Sequence, residues 1–173
     1  MADFRGTLND PDLTQFHDYW ASLCRGRPIP SRRDLDPLRI PAGYLPDVML
    51  VDVLQAPLRL RYRLIGTHVV AASGEDRTGR FFDDVSFFRI HPAAMQQFET
   101  VAATGRPLCS LEPFTNFVNG TTYEVDRLIL PLSSDGGLVD MLVVLFHFRS
   151  GPHARRLAPP QPQTADLGAQ PSA

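Results

Sequence analysis

The second half of the chain, residues 104–149, has the pattern of three β-strands joined by two tight turns, and this pattern constrains the fold most. Asn119-Gly120 and Asp135-Gly136-Gly137 separate its apolar runs. Such residues tolerate the positive φ angles that hairpin turns require, so each group marks a hairpin. The pattern predicts strands over 107–117, 121–132 and 138–149. An antiparallel sheet therefore ends the folded region, and the helices precede it.

The last of these strands is apolar on both of its faces. Val143 and Leu145 lie on one face, and the other carries Leu142, Val144, Phe146 and Phe148. A sheet with one face in water alternates polar and apolar residues, and this strand does not. We therefore expect a layer of protein on each side of the sheet.

An amphipathic helix near the start of the chain is the natural cover for one of these faces. It begins near Asp10 and ends near Gly26. Its apolar residues recur at helical spacing and are Leu13, Phe16, Trp20 and Leu23. The sequence leaves open whether this helix covers the sheet of its own chain or docks on a second copy in a dimer.

Two further strands and two helices lie between these regions. Residues 47–54 and 59–65 alternate as strands, and the arginines of the second strand must meet water or acidic groups. Helices are predicted over 67–73 and from Pro92 to about Ala103. The order predicts an α+β fold with a single five-stranded antiparallel sheet. We divide the chain into an N-terminal helix with its linker (1–30), a domain (31–150) and a disordered tail rich in Pro and Gln (151–173).

Composition and charge argue against several classes of protein. The chain has 173 residues and a net charge of -2, without the basic surface of a nucleic-acid-binding protein. Its two cysteines form no disulfide framework, which suits a reducing cytoplasm. No apolar leader and no membrane-spanning run are present. The spacing of the histidines fits no metal motif, and no motif indicates a catalytic residue.

Several short motifs, taken in order, resemble the PAS domain, a sensor and interaction module. RYRLIG (61–66) followed by TGR (78–80) is similar to the stretch after the second PAS strand. VAATGRP (101–107) and PLSSDGG (131–137) resemble the end of the long PAS helix and a late hairpin. The lead-in over 19–37 resembles a bacterial group of small, stand-alone PAS proteins. The resemblance covers residues 13–149.

The resemblance implies helices over one face of the sheet, a ligand pocket beneath them, and the N-terminal helix on the other face. From strand alternation and helix phase we predict these ligand-pocket residues: Tyr62, Leu64, His68, Val69, Phe82, Met95, Phe98, Val125, Arg127 and His147. The ligand itself is not identified. Light-sensing relatives carry a cysteine that 67–74 lacks, so covalent flavin photochemistry is not expected, whereas haem stays open through His68 or His91.

The favoured function is a cytoplasmic, non-catalytic sensor or adaptor that acts through a signalling protein or through its own second copy as a homodimer. One alternative is a small cavity enzyme of isomerase or hydrolase type. It requires a titratable pair in the pocket, such as His147 beside a buried carboxylate. Another alternative is a purely structural dimerisation module with a filled core.

Overall fold

The computed structural model describes residues 4–41, 43–85, 91–116 and 118–154. Its elements are α1 (Pro11–Ser22), β1 (Val48–Leu54), β2 (Arg59–Ile65), α2 (Thr67–Ser73), α3 (Pro92–Thr104), β3 (Leu108–Thr115), β4 (Thr122–Leu132) and β5 (Met141–Phe148), with short 3₁₀ turns before β1. Each predicted strand and helix is present, with ends that differ by a few residues. From residue 155 onward, the tail predicted to be disordered lies outside the described residues.

The five strands form one antiparallel sheet in the order β2-β1-β5-β4-β3. This confirms the predicted α+β fold. The last strand of the chain, β5, lies in the middle of the sheet, where Val143 pairs with Leu50 of β1 and with Leu130 of β4. All eight residues of β5 are buried. The strand that is apolar on both faces is therefore the centre of the domain.

Helices α2 and α3 cover one face of the sheet, which we call the cavity face. Val69 of α2 and Phe98 and Val101 of α3 pack against strand residues such as Val51 and Val144. Gly74 and Gly105 end these two helices in the left-handed conformation that glycine adopts without strain.

Helix α1 covers the opposite face, which we call the α1 face. Leu13, Phe16 and Trp20 are buried there against β4 and β5, and Leu23 is partly buried beside them. The Trp20 Nε1–H donates a hydrogen bond of 2.9 Å to the carbonyl oxygen of Pro131. Asp10 caps the helix by accepting from the backbone N–H groups of Asp12 and Leu13. The chain's own helix covers this face, so the apolar stripe needs no second copy.

A β-bulge in β2 changes which of its side chains face the cavity. Leu50 pairs with Leu64, but the next residue, Val51, pairs with Tyr62, so Arg63 is the extra residue. Strict alternation after Tyr62 would turn Leu64 inward. Because of the bulge, Leu64 is 38% exposed and Ile65 lies at the cavity instead. The prediction that Leu64 lines the pocket is wrong for this reason.

The arginines of β2 meet acidic groups, as the alternation predicts. Asp52 of β1 is buried, and its carboxylate lies 2.9 Å from Arg61 Nη2, 3.6 Å from Arg63 Nη1 and 3.2 Å from Arg32 Nη2. Asp126 of β4 is also buried, but it binds Arg149 and not an arginine of β2, because two strands separate β4 from β2 in the sheet.

We predict that Asp52→Asn lowers the free energy of unfolding by about 2 kcal/mol in urea denaturation. The substitution leaves three guanidinium groups together without their shared carboxylate. Breaking a fully buried pair costs about 3–5 kcal/mol, and the arginines are partly solvated here. The matched control is Asp83→Asn, which removes an exposed partner of Arg59 and should cost less than about 1 kcal/mol. Equal losses in the two variants would contradict the role given to Asp52.

Candidate functional site

A small cavity lies between the sheet and helices α2 and α3. Its volume, measured to the centres of water molecules, is about 40 Å³. The lining residues are Met49, Tyr62, Ile65, Val69, Ser73, Glu75, Arg77, Phe98, Phe114, Arg127 and Phe146. They come from the sheet, from α2 and α3, and from the loop after α2. The cavity is therefore enclosed by the layers that the sequence pattern predicts for a pocket.

The structure brings four of the predicted pocket residues together at this cavity, namely Tyr62, Val69, Phe98 and Arg127. Phe82, Val125 and Met95 belong to the apolar core around the cavity and do not line it. The Phe82 ring fills the space between Tyr62 and Phe98, with centroid separations of 4.3 Å and 5.1 Å.

Two of the predicted histidines lie away from the cavity. His68 is on the outer side of α2, where its Nδ1 is 2.9 Å from Asp47 Oδ1 and its ring stacks on His153 at 4.4 Å. His147 of β5 projects from the α1 face, because it shares its parity with Val143 and Leu145. His68 and His147 therefore do not line the cavity, and the prediction that they do is wrong.

Seven lining residues were not among the predicted pocket residues. Phe146 and Met49 alternate correctly for the cavity face, so a fuller use of strand parity would have found them. Ile65 faces the cavity because of the bulge in β2, so strict alternation does not find it. Ser73, Glu75 and Arg77 lie at or after the end of α2, where no periodicity specifies the direction of a side chain. Phe114 comes from edge strand β3, whose Pro113 obscures the alternation.

One polar group at the cavity consists of Tyr62, Glu75 and Arg77. Arg77 is only 6% exposed, and its Nε donates to Glu75 Oε2 over 3.1 Å. Burial raises the pKa of Tyr62 to about 12, against the opposing effect of the Arg77 charge and hydrogen bond and of the Arg127 charge. The Tyr62 hydroxyl therefore stays protonated at physiological pH and offers a donor as well as an acceptor.

The second polar group is centred on Arg127 of β4, which is 5% exposed. Its Nη2 donates to Gln97 Oε1 over 2.6 Å, and Gln97 in turn donates to Glu112 Oε1 over 2.7 Å. The guanidinium carbon lies 5.2 Å from the centre of the Phe98 ring. Burial lowers the pKa of Arg127, and the nearby Glu112 charge opposes that shift. Arg127 thus brings a positive charge to the inside of the domain.

A separate polar cluster lies beneath α1. His147 Nε2 is 3.3 Å from Asp10 Oδ2, and His147 Nδ1 is 3.8 Å from Asp12 Oδ2. The two ring nitrogens of His147 therefore face different carboxylates. His147 therefore does lie beside carboxylates, as the enzyme alternative requires. The pair is on the α1 face, however, and not in the cavity.

Comparison with known proteins identifies the family. The family model described as the PAS domain matches residues 8–145. The chain belongs to the PAS domain family. This membership indicates a sensory role in signal transduction. No curated protein matches the chain significantly.

Solved structures similar to this PAS domain include light-oxygen-voltage proteins at low identity. The LOV protein of Rhodobacter sphaeroides is 14% identical with a TM-score of 0.46, over 58% of this chain and 57% of that one. The light state of the Aureochrome1 LOV domain is 14% identical with a TM-score of 0.47, over 61% and 83%. An RNA-binding light-oxygen-voltage receptor is 13% identical with a TM-score of 0.49, over 69% and 35%. The chain thus spans little more than half of the first of these proteins.

The described cavity does not fit a flavin or a haem. Pockets for ligands of that size enclose roughly 300–1,000 Å³, against about 40 Å³ here. His68 is engaged with Asp47 and His153, and His91 is exposed at the start of α3. Cys24 and Cys109 both pack on the α1 face.

Within the described part of the chain, no helix is long and apolar enough to cross a bilayer.

We predict that stability falls on acidification because of His153. Burial, together with the neighbouring His68 charge, lowers the pKa of His153 below its ordinary value of 6.5, although Asp47 opposes the shift. The unfolded chain then binds more protons than the folded chain between these two pKa values. The contribution of His153 is fully present above pH 6.5 and is lost as the pH falls toward the lower, folded value.

Imidazole NMR titration and urea unfolding between pH 5 and 8 measure this effect. His153 should titrate below 6.5, and His153→Asn should reduce the fall in stability on the acid side. The control is the exposed Gln96→Asn, which removes no titratable group and should leave the pH profile unchanged. A His153 that titrates at or above 6.5 would show that the stacked arrangement does not penalise its charge.

Proposed function

We propose that this PAS domain is a non-catalytic sensor that takes a small ligand into its cavity and passes the resulting change to a partner protein. The observation that carries the proposal is the cavity itself, which combines apolar walls with two buried arginines, Arg77 and Arg127. A core selected only for stability excludes buried charges, since replacing them with apolar residues is neutral or stabilising. Charges retained at a cavity favour a ligand.

The sheet offers a direct route from the cavity to the surface beyond it. Arg127 and Phe146 are paired neighbours on β4 and β5, and both face the cavity. The adjacent pair, Asp126 and His147, faces α1. A ligand that shifts Arg127 and Phe146 would thus act one residue away from the side chains that contact the start of α1. This geometry supports the proposal that a partner protein recognises α1 and its N-terminal turn.

We also propose a kind of partner and a compartment for the protein. The apolar stripe of α1 is used within the chain, so either a signalling protein or a second copy would bind on another part of the surface. Both cysteines are free, and thiols stay reduced in the cytoplasm, where we place the protein. The proposal assigns no reaction, because the His147 cluster and the cavity lie on opposite faces of the sheet.

Binding of a metabolite library to the purified full chain, followed by native mass spectrometry and ligand-observed NMR, tests the proposal. We expect at least one small molecule to bind. Val69→Leu adds a methylene group that narrows the cavity. It should weaken that binding at least tenfold, at a cost in stability of about 1–3 kcal/mol.

The matched control is Val70→Leu on the same helix, at a partly buried position that does not line the cavity. It should leave the affinity unchanged. A library without any binder would contradict ligand sensing and favour a purely structural module. Equal effects of the Val69 and Val70 variants would place the binding site elsewhere.

A further inference from the structure

The inference drawn here rests on the proposed ligand-binding function and concerns the chemical class of the ligand. The charges of the residues that line the cavity do not balance. Two arginines and one glutamate line the cavity, which leaves one positive charge in excess among these residues. Glu75 lies beside Arg77, at 3.1 Å from its Nε. Glu75 is also 2.8 Å from Arg80 Nη1, whereas no described ion pair involves Arg127.

Arg127 has no carboxylate of the described residues within ion-pair distance. Its described hydrogen bond runs to the neutral amide oxygen of Gln97, and Gln97 stands between Arg127 and Glu112. The Nε–H group of Arg127 is buried without a hydrogen-bond partner in the described structure. A buried guanidinium with an unsatisfied donor is costly, and an anion that accepts from this donor would remove the cost.

The size of the cavity limits the anion. A single water requires roughly 10–15 Å³, so 40 Å³ accommodates about three to four non-hydrogen atoms without movement of the walls. Acetate is of this size, and a longer alkyl chain requires the apolar walls to move. Apart from Ser73, the remaining walls are apolar and are formed by Met49, Ile65, Val69, Phe98, Phe114 and Phe146.

The chemistry of the walls distinguishes among anions. Phosphate and sulfate are strongly hydrated and require many donors, whereas this cavity offers few donors and a mainly apolar surface. A monocarboxylate matches one excess positive charge, accepts from the Arg127 Nε–H group, and places its alkyl end against the apolar side chains. Tyr62 supplies a further hydroxyl donor, because its pKa keeps it protonated.

We propose that the cavity is a binding site for a short-chain monocarboxylate, which is held by the Arg127 guanidinium with its alkyl group against Phe114 and Phe146. Arg127 then acts as the specificity-determining residue of the sensor. A neutral molecule of the same shape would leave the Nε–H group with a weaker acceptor.

Thermal unfolding in a carboxylate-free buffer tests this inference. The probes are sodium acetate, propionate and butyrate, and their neutral counterparts acetamide, propionamide and butyramide, at constant ionic strength. At a hundredfold excess over Kd we expect a carboxylate to raise Tm by about 5 °C or more. The amides should raise it much less. In the same titration, the ¹⁵N-edited NMR signal of the Arg127 Nε–H group should move with the carboxylate and stay still with the amide.

Variants separate the charge from the shape of Arg127. Arg127→Met keeps the length of the side chain, should fold at least as stably without ligand, and should lose the carboxylate effect. Arg127→Lys keeps the charge but not the planar fork, so it should keep part of the effect. The control is Arg33→Met, which removes an exposed arginine and should behave like the parent chain.

The outcomes distinguish this inference from the proposed function. Amides that stabilise as strongly as carboxylates, or an effect that survives in Arg127→Met, would overturn the inference and leave ligand sensing intact. If library compounds of other classes bind in the cavity while the carboxylates do not, the inference again fails alone. If neither the library nor these probes bind, the proposed sensor function fails as well.

Discussion

The middle strand of the sheet has no side that water can occupy. All eight residues of β5 are buried, and its two faces carry Val143 and Leu145 on one side and Val144 and Phe146 on the other. Burial of each such side chain is worth roughly 1.5–3 kcal/mol, so an uncovered face would remove much of the stability of a domain of this size. The remaining architecture follows from the need to cover both faces of β5. Helices α2 and α3 cover one face, and α1 covers the other.

This double cover gives the two faces different chemistry. On the α1 face the apolar side chains of α1 pack directly on the sheet, and His147 lies beside Asp10 at the start of the helix. On the cavity face the short helices leave a gap above the sheet, and Arg127 brings a charge into it. Strand alternation places Arg127 and His147, which face opposite sides of the sheet, within one residue of each other on neighbouring strands. Under the proposed function, a change at Arg127 would need no long path to reach the N-terminal helix.

The success of the sequence-based predictions followed from the regularity of the local structure. The five strands, the three helices and the role of Leu13, Phe16 and Trp20 were predictable, because periodicity and turn residues encode them directly. Arg127, Tyr62 and Val69 were found by the same rule. The rule failed at Leu64, since a bulge reverses parity without a clear signal in the sequence. It gave no information on Glu75 and Arg77, which lie in an irregular loop.

Fluorescence of Trp20, the only tryptophan of the chain, tests most directly whether one chain covers both faces of its own sheet. The measurement records its emission maximum and its quenching by acrylamide while the protein is diluted from micromolar to nanomolar concentration, with circular dichroism as the check on folding. The structure predicts blue-shifted, quencher-protected emission at every concentration, because Trp20 packs on β4 and β5 of the same chain. Red-shifted, readily quenched emission at low concentration from a chain that stays folded would contradict this account.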